Sequence, residues 1–133
     1  MKTIKQEVAE NLASKLEQYK GQSVYGADLA FTLFESYNID GSVTYSRYDA
    51  AEWIKEHFAE LGEVVENMRD NWEYDASADI FDNPEKFMTS CYLWTASEIC
   101  GQLETVKEFW DDSEELTAER IAAITAELEQ IDD

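Results

Sequence analysis

The sequence predicts an all-α fold: a single domain of about five helices over residues 1–133. Three observations carry this. Apolar residues recur at spacings of three and four along most of the chain, helix-capping residues fall between those runs, and one proline, Pro84, is all that punctuates them. With 44% hydrophobic and 13% aromatic residues the chain is too apolar for a disordered acidic tail. Area scaling gives a chain of this mass roughly 15,000 Å² of surface to bury, enough for one core.

The first helix runs from Thr3 to Lys20, with Ile4, Val8, Leu12, Leu16 and Tyr19 at helical spacing and Gly21 where a left-handed cap would end it. Tyr25 to Tyr37, apolar on more than one side through Leu29, Phe31, Leu33 and Phe34, predicts a shorter and more buried helix, with an extended alternative left open. An Asp40-Gly41 turn signal followed by Val43 and Thr44 fits a small hairpin or short strand near residues 38–46. Ser46, with Asp49 three positions on, has the pattern of an N-cap and opens a long third helix. Its stripe is Ala50, Trp53, Ile54, Phe58, Leu61, Val64, Val65, Met68 and Trp72, and Gly62 is its expected kink. Residues 75–82 lose the period and predict a connection. Asn83-Pro84 then starts a fourth helix, apolar through Phe87, Cys91, Trp94, Ile99, Leu103, Val106 and Trp110, to about Asp111. The last helix is capped by Thr117 and packed through Ile121, Ile124 and Leu128.

Catalytic and metal chemistry find little to work with here. Nucleophilic catalysis usually pairs a Ser or Cys with a histidine, and His57 is the one histidine in the chain. It lies beside the stripe of the third helix, within reach of Glu60 or Leu61. Without an orienting constellation it reads as a helix-surface or partly buried residue rather than a general base. Cys91 and Cys100 lack zinc-ligand spacing and stand on opposite faces of one helix ~13 Å apart, too far to pair; each reads as a small buried hydrophobe. Asp75, Ser77 and Asp79 begin like a calcium loop, but Ile80 and Lys86 occupy the positions that need Gly and Glu. No glycine-rich phosphate loop is present. The expectation is a protein that is not an enzyme and takes no cofactor or metal. The opening residues lack a secretory apolar region and no stretch is long and apolar enough to span a membrane, so a cytoplasmic location is expected.

Charge is the strongest signal. Thirty acidic residues oppose ten basic ones, a formal net charge of -20, which argues against direct binding to nucleic acid or an anionic membrane. Residues 21–73 hold eleven acids and three bases, and residues 98–133 hold twelve acids and two bases. Along the third helix Asp49, Glu52, Glu56, Glu60, Glu63, Glu66, Asp70 and Glu73 are themselves spaced by three and four, predicting a ridge about 36 Å long. Glu104, Glu108, Asp111 and Glu115, with Asp112 and Glu114 beside them, predict a second acidic edge. Such acids can be no more than the solvated side of an amphipathic helix. Ordinary helices, however, mix signs and gain a few tenths of a kcal/mol per pair, a gain this ridge repeatedly forgoes. Twenty phosphate charges on duplex DNA occupy ~34 Å, close to the ~36 Å diameter of a domain this size. A partner with a basic nucleic-acid groove would therefore meet a similar charge density.

Four segments add a resemblance: Gly41-Ser42-Val43-Thr44-Tyr45-Ser46, Trp53-Ile54-Lys55-Glu56, Leu61-Gly62-Glu63 and Phe81-Asp82-Asn83-Pro84-Glu85-Lys86-Phe87. Together, over about residues 25–103, they resemble an uncharacterised family of small acidic proteins encoded by phages and mobile elements of Gram-positive bacteria. The resemblance transfers no site residue. In that setting, small acidic helical proteins look like nucleic-acid mimics that disable host defence, anti-CRISPR and anti-restriction proteins among them. The expected partner is a basic nucleic-acid-binding protein of a host defence system, met through the fourteen acids of the two edges. The competing expectation is a helical interaction module whose partner meets apolar or aromatic surface.

Overall fold

The computed structural model describes residues 2–33, 46–72 and 79–131. The chain is mostly helical, with a two-stranded antiparallel sheet. Helix α1 spans Ile4–Gln18 and begins with a full capping box, Thr3 accepting from the Gln6 amide while Gln6 accepts from the Thr3 amide. Its stripe of Ile4, Val8, Leu12 and Leu16 is buried, as the spacing predicts. Gly21 is left-handed at φ 89°, a conformation that costs glycine little.

Strand β1 (Ser23–Tyr25) pairs with β2 (Ser113–Glu115), Val24 opposite Glu114, and tethers the end of α1 to a segment ninety residues on. Tyr25 is thus strand rather than helix. A 3-10 turn, Gly26–Asp28, leads into helix α2 at residues 29–33, where Leu29, Ala30 and Leu33 are buried. Here glycine is required by proximity: a Cβ on Gly26 would stand 2.7 Å from the Val106 carbonyl oxygen and 2.8 Å from that of Phe109. The Gly26 amide donates to that Phe109 carbonyl at 3.0 Å. Residues 38–45 of the expected hairpin lie outside the described residues.

The long third helix is in fact two. Helix α3 (Arg47–Glu56) is capped by Ser46, which accepts from the Asp49 amide at 3.0 Å, and α4 (Phe58–Trp72) follows after one residue. The break is at His57 (φ -107°, ψ 12°), not at Gly62, which sits exposed within α4. The short helix α5 (Asp79–Asp82) replaces part of the expected connection, and Asn83 donates its side chain to Asp79 instead of capping the next helix.

Helix α6 (Pro84–Cys100) starts on its proline as predicted and packs against α1, α3 and α5, burying Phe87, Met88, Cys91, Tyr92, Ala96 and Ile99. Each of the larger ones contributes about 1.5–3 kcal/mol by leaving water. It stops at Cys100 rather than near Asp111, because a separate short helix, α7 (Glu104–Lys107), begins under a carboxylate from the far end of the chain. Glu127 accepts from the amides of Glu104 (2.7 Å) and Thr105 (3.1 Å) and from the Thr105 hydroxyl. Helix α8 (Ala118–Glu129), capped by Thr117, supplies Glu127 and packs Ile121, Ile124 and Leu128 inward against α1. Among the described residues there are therefore eight α-helices, not about five: two expected helices are each divided, and α5 is added. No helix among them is long and apolar enough to cross a membrane.

Candidate functional site

Two groups of carboxylates emerge from this architecture, and they differ in what they touch. The first is the outer side of α3 and α4. At 100° per residue Asp49, Glu52 and Glu56 fall within an arc of about 60° on α3, and Glu63, Glu66 and Asp70 within about 60° on α4. Ala50 and Ile54 on α3, and Leu61 and Met68 on α4, take the opposite side and are buried; Trp53, on the flank between the two sides, is buried as well. All six acids are exposed, and none makes an ion pair among the described residues. The spacing therefore places them on solvent-facing sides of two consecutive helices instead of one straight rod. Glu73 lies outside the described residues.

Glu60 departs from this row. Its Oε1 accepts from the Ile4 amide at 3.1 Å and its Oε2 lies 2.9 Å from His57 Nδ1. The second predicted edge is spread over α7, the following turn and β2: Glu104, Glu108, Asp111, Asp112, Glu114 and Glu115 are all exposed. Two of these are partly neutralised, Glu104 by Lys107 at 3.4 Å and Glu114 by Arg120 at 3.5 Å.

The second group centres on buried His57, only 1% exposed, with the part-buried carboxylates of Glu7 and Glu60 beside it. Glu60 approaches its Nδ1, and Glu7 of α1 lies 3.2 Å from Nε2, within ion-pair distance but out of line for a hydrogen bond. Glu7 Oε2 also accepts from the Trp53 indole N–H (2.9 Å) and the Tyr92 hydroxyl (3.4 Å). Trp53 packs against both the His57 ring, 5.0 Å between centroids, and that of Tyr92, at 5.6 Å. On α6, burial pushes the Cys91 thiol up to about 12; the Thr95 hydrogen bond opposes this, and the charges of Glu60 and Glu7 add to it. Cys100 is likewise raised to about 12 by burial. Both cysteines are free and packed inside.

The sequence predicts a helix-surface or partly buried His57; the ring is instead fully buried, and the cluster around it was missed. The spacing of His57 and Glu60 was one available signal. Glu7, fifty positions earlier, offered none, because on α1 it reads as one more solvated acid. Tyr92 is buried, whereas Tyr25 and Tyr48 are exposed, Tyr48 at 74%. No protein-family profile, curated protein or solved structure matches this chain.

Proposed function

We propose that this protein is an anti-defence inhibitor of phage type, an anti-CRISPR in preference to an anti-restriction protein. It would act without catalysis in the cytoplasm of a bacterial host, occupying the basic nucleic-acid groove of a defence protein. The observation that supports this reading is the exposed row Asp49, Glu52, Glu56, Glu63, Glu66 and Asp70, free of ion pairs among the described residues. Carboxylates that neutralise nothing within the fold keep their full field for a cationic partner, and that field steers association and releases the partner's counterions. Glu104, Glu108, Asp111, Asp112, Glu114 and Glu115 extend the acidic surface.

The test is competition. Purified CRISPR effector complexes and restriction enzymes are titrated with the protein, and DNA binding is followed by mobility shift. The expected result is displacement of DNA from an effector. Raised salt abolishes it steeply, since about six neutralised charges cost on the order of a thousandfold between 50 and 200 mM salt. Reversing Glu52, Glu56, Glu63 and Glu66 to Lys removes the displacement. Failure to displace DNA from either class, or full activity in the reversed variant, contradicts the proposal.

A second reading rests on Tyr48, Phe58 and Phe81, 74%, 61% and 74% exposed. Large aromatics left in water are enriched at protein interfaces. An interaction module of that kind binds with little salt dependence and loses its partner on Tyr48→Ala or Phe58→Ala instead.

A further inference from the structure

The His57 cluster has a donor problem. A carboxylate can only accept, and both ring nitrogens of His57 face carboxylate oxygens, Glu60 Oε2 at 2.9 Å and Glu7 Oε2 at 3.2 Å. A neutral imidazole carries one N–H and one lone pair. If the proton sits on Nδ1, the electron-rich Nε2 lies 3.2 Å from the anionic Glu7 carboxylate; if it sits on Nε2, the Nδ1 lone pair is pressed against Glu60. Either tautomer sets a buried, electron-rich nitrogen against a negative charge. With both nitrogens protonated, each contact becomes attractive, and the poor alignment at Nε2 matters little because ion-pair attraction is less directional than a hydrogen bond.

The other groups around the ring do not relieve this. On α3, Trp53 spends its N–H on Glu7. From α6, the Tyr92 hydroxyl also donates to Glu7, and the Cys91 thiol, hydrogen-bonded to Thr95, stays protonated. From α4, Glu60 already holds the Ile4 amide. The ring thus sits where α1, α3, α4 and α6 meet, at the one residue that separates α3 from α4.

We propose that His57 is a proton-operated latch: doubly protonated, it ties Glu7 of α1 to Glu60 of α4 across the α3–α4 break, and on losing one proton it releases that tie. Release leaves two carboxylates facing a half-satisfied ring, so Glu60 loosens its hold on Ile4, and Glu7 loosens its hold on Trp53. This latch stands on the geometry of the buried His57 ring between two part-buried carboxylates and is independent of what the outer acids bind.

Because the chain has a single histidine, its ring nitrogens give an unambiguous ¹⁵N NMR signal in the full-length protein. The spectrum is followed from mildly acidic to mildly alkaline pH while the protein stays folded. Hydrogen exchange of the Ile4 amide and the shift of the Trp53 indole N–H are recorded in the same samples. The latch predicts two protonated nitrogens on the acid side. Loss of one coincides with at least tenfold faster exchange at Ile4, beyond the intrinsic pH effect seen at an unconnected helical amide such as that of Ile124, and with a shift of the Trp53 signal. His57→Gln removes the pH response of both reporters; if that variant does not fold, the wild-type titration alone decides. A ring with one proton throughout, a ring that keeps both until the chain unfolds, or a ring that titrates while Ile4 and Trp53 stay unchanged each overturns the latch.

Discussion

Glu60 and Glu63 stand three residues apart on one helix and belong to one periodic row in the sequence, yet they do opposite work. Glu60 joins Glu7 and Glu127 as an internal acceptor: between them these three side chains satisfy the amides of Ile4, Glu104 and Thr105, the Thr105 and Tyr92 hydroxyls and the Trp53 indole, and two of them flank His57. Glu63, with Asp49, Glu52, Glu56, Glu66 and Asp70, satisfies nothing among the described residues and adds to a net charge of -20. In the first group a carboxylate is a structural acceptor whose removal orphans donors. In the second it is a repulsive surface charge whose removal costs the fold little.

The largest expected effect comes from the two buried thiols, of which Cys91 feels the charges of Glu60 and Glu7. An unfolded thiol gives up its proton near pH 9.0, whereas burial makes Cys91 and Cys100 hold theirs to about 12. The folded state therefore binds more protons in that window. The thiols' contribution to stability is intact below pH 9 and falls as pH climbs toward 12, steeply because two thiols contribute. Denaturation midpoints at increasing pH check this, and a thiol reagent at neutral pH modifies neither cysteine in the native protein but both in denaturant.

Next in size is Glu7→Ala, which removes the acceptor of the Trp53 N–H, one partner of the Tyr92 hydroxyl and the carboxylate beside His57 Nε2, and costs about 3 kcal/mol in urea unfolding. Glu127→Ala uncaps α7 and costs about 1–2 kcal/mol, with near-normal α6 helicity retained. Gly62→Ala moves in the other direction. A Cβ there meets nothing within 4 Å, so the variant gains about 0.5–1 kcal/mol from helix propensity alone. If it loses stability instead, α4 is not a regular helix through that position.

Much of this was legible in the sequence, and the boundary has a physical cause. Ser46, Thr117 and Pro84 mark helix starts through interactions that close within a few residues, and each does so in the structure; Gly21 is left-handed as expected but stands two residues past the Tyr19 cap and donates its amide to Leu116. The stripes of α1 and α8 are equally local. What was missed depends on partners far along the chain. The break at His57 is held by Glu7, the stop after Cys100 is fixed by Glu127, and β1–β2 joins three-residue strands with no alternation to betray them. The acidic row was visible as a period, but the departure of Glu60 from it depended on Ile4 and His57 being brought alongside.

The division of labour among carboxylates is tested most directly by the melting temperature of the Glu52→Gln, Glu56→Gln, Glu63→Gln, Glu66→Gln combination at low ionic strength. Neutralising four exposed acids that hold nothing relieves self-repulsion, so the variant is expected to melt several degrees above the wild type, with the difference shrinking as salt is added. A variant that melts below the wild type would show that these side chains hold the fold together, and the separation between structural and free carboxylates would be wrong.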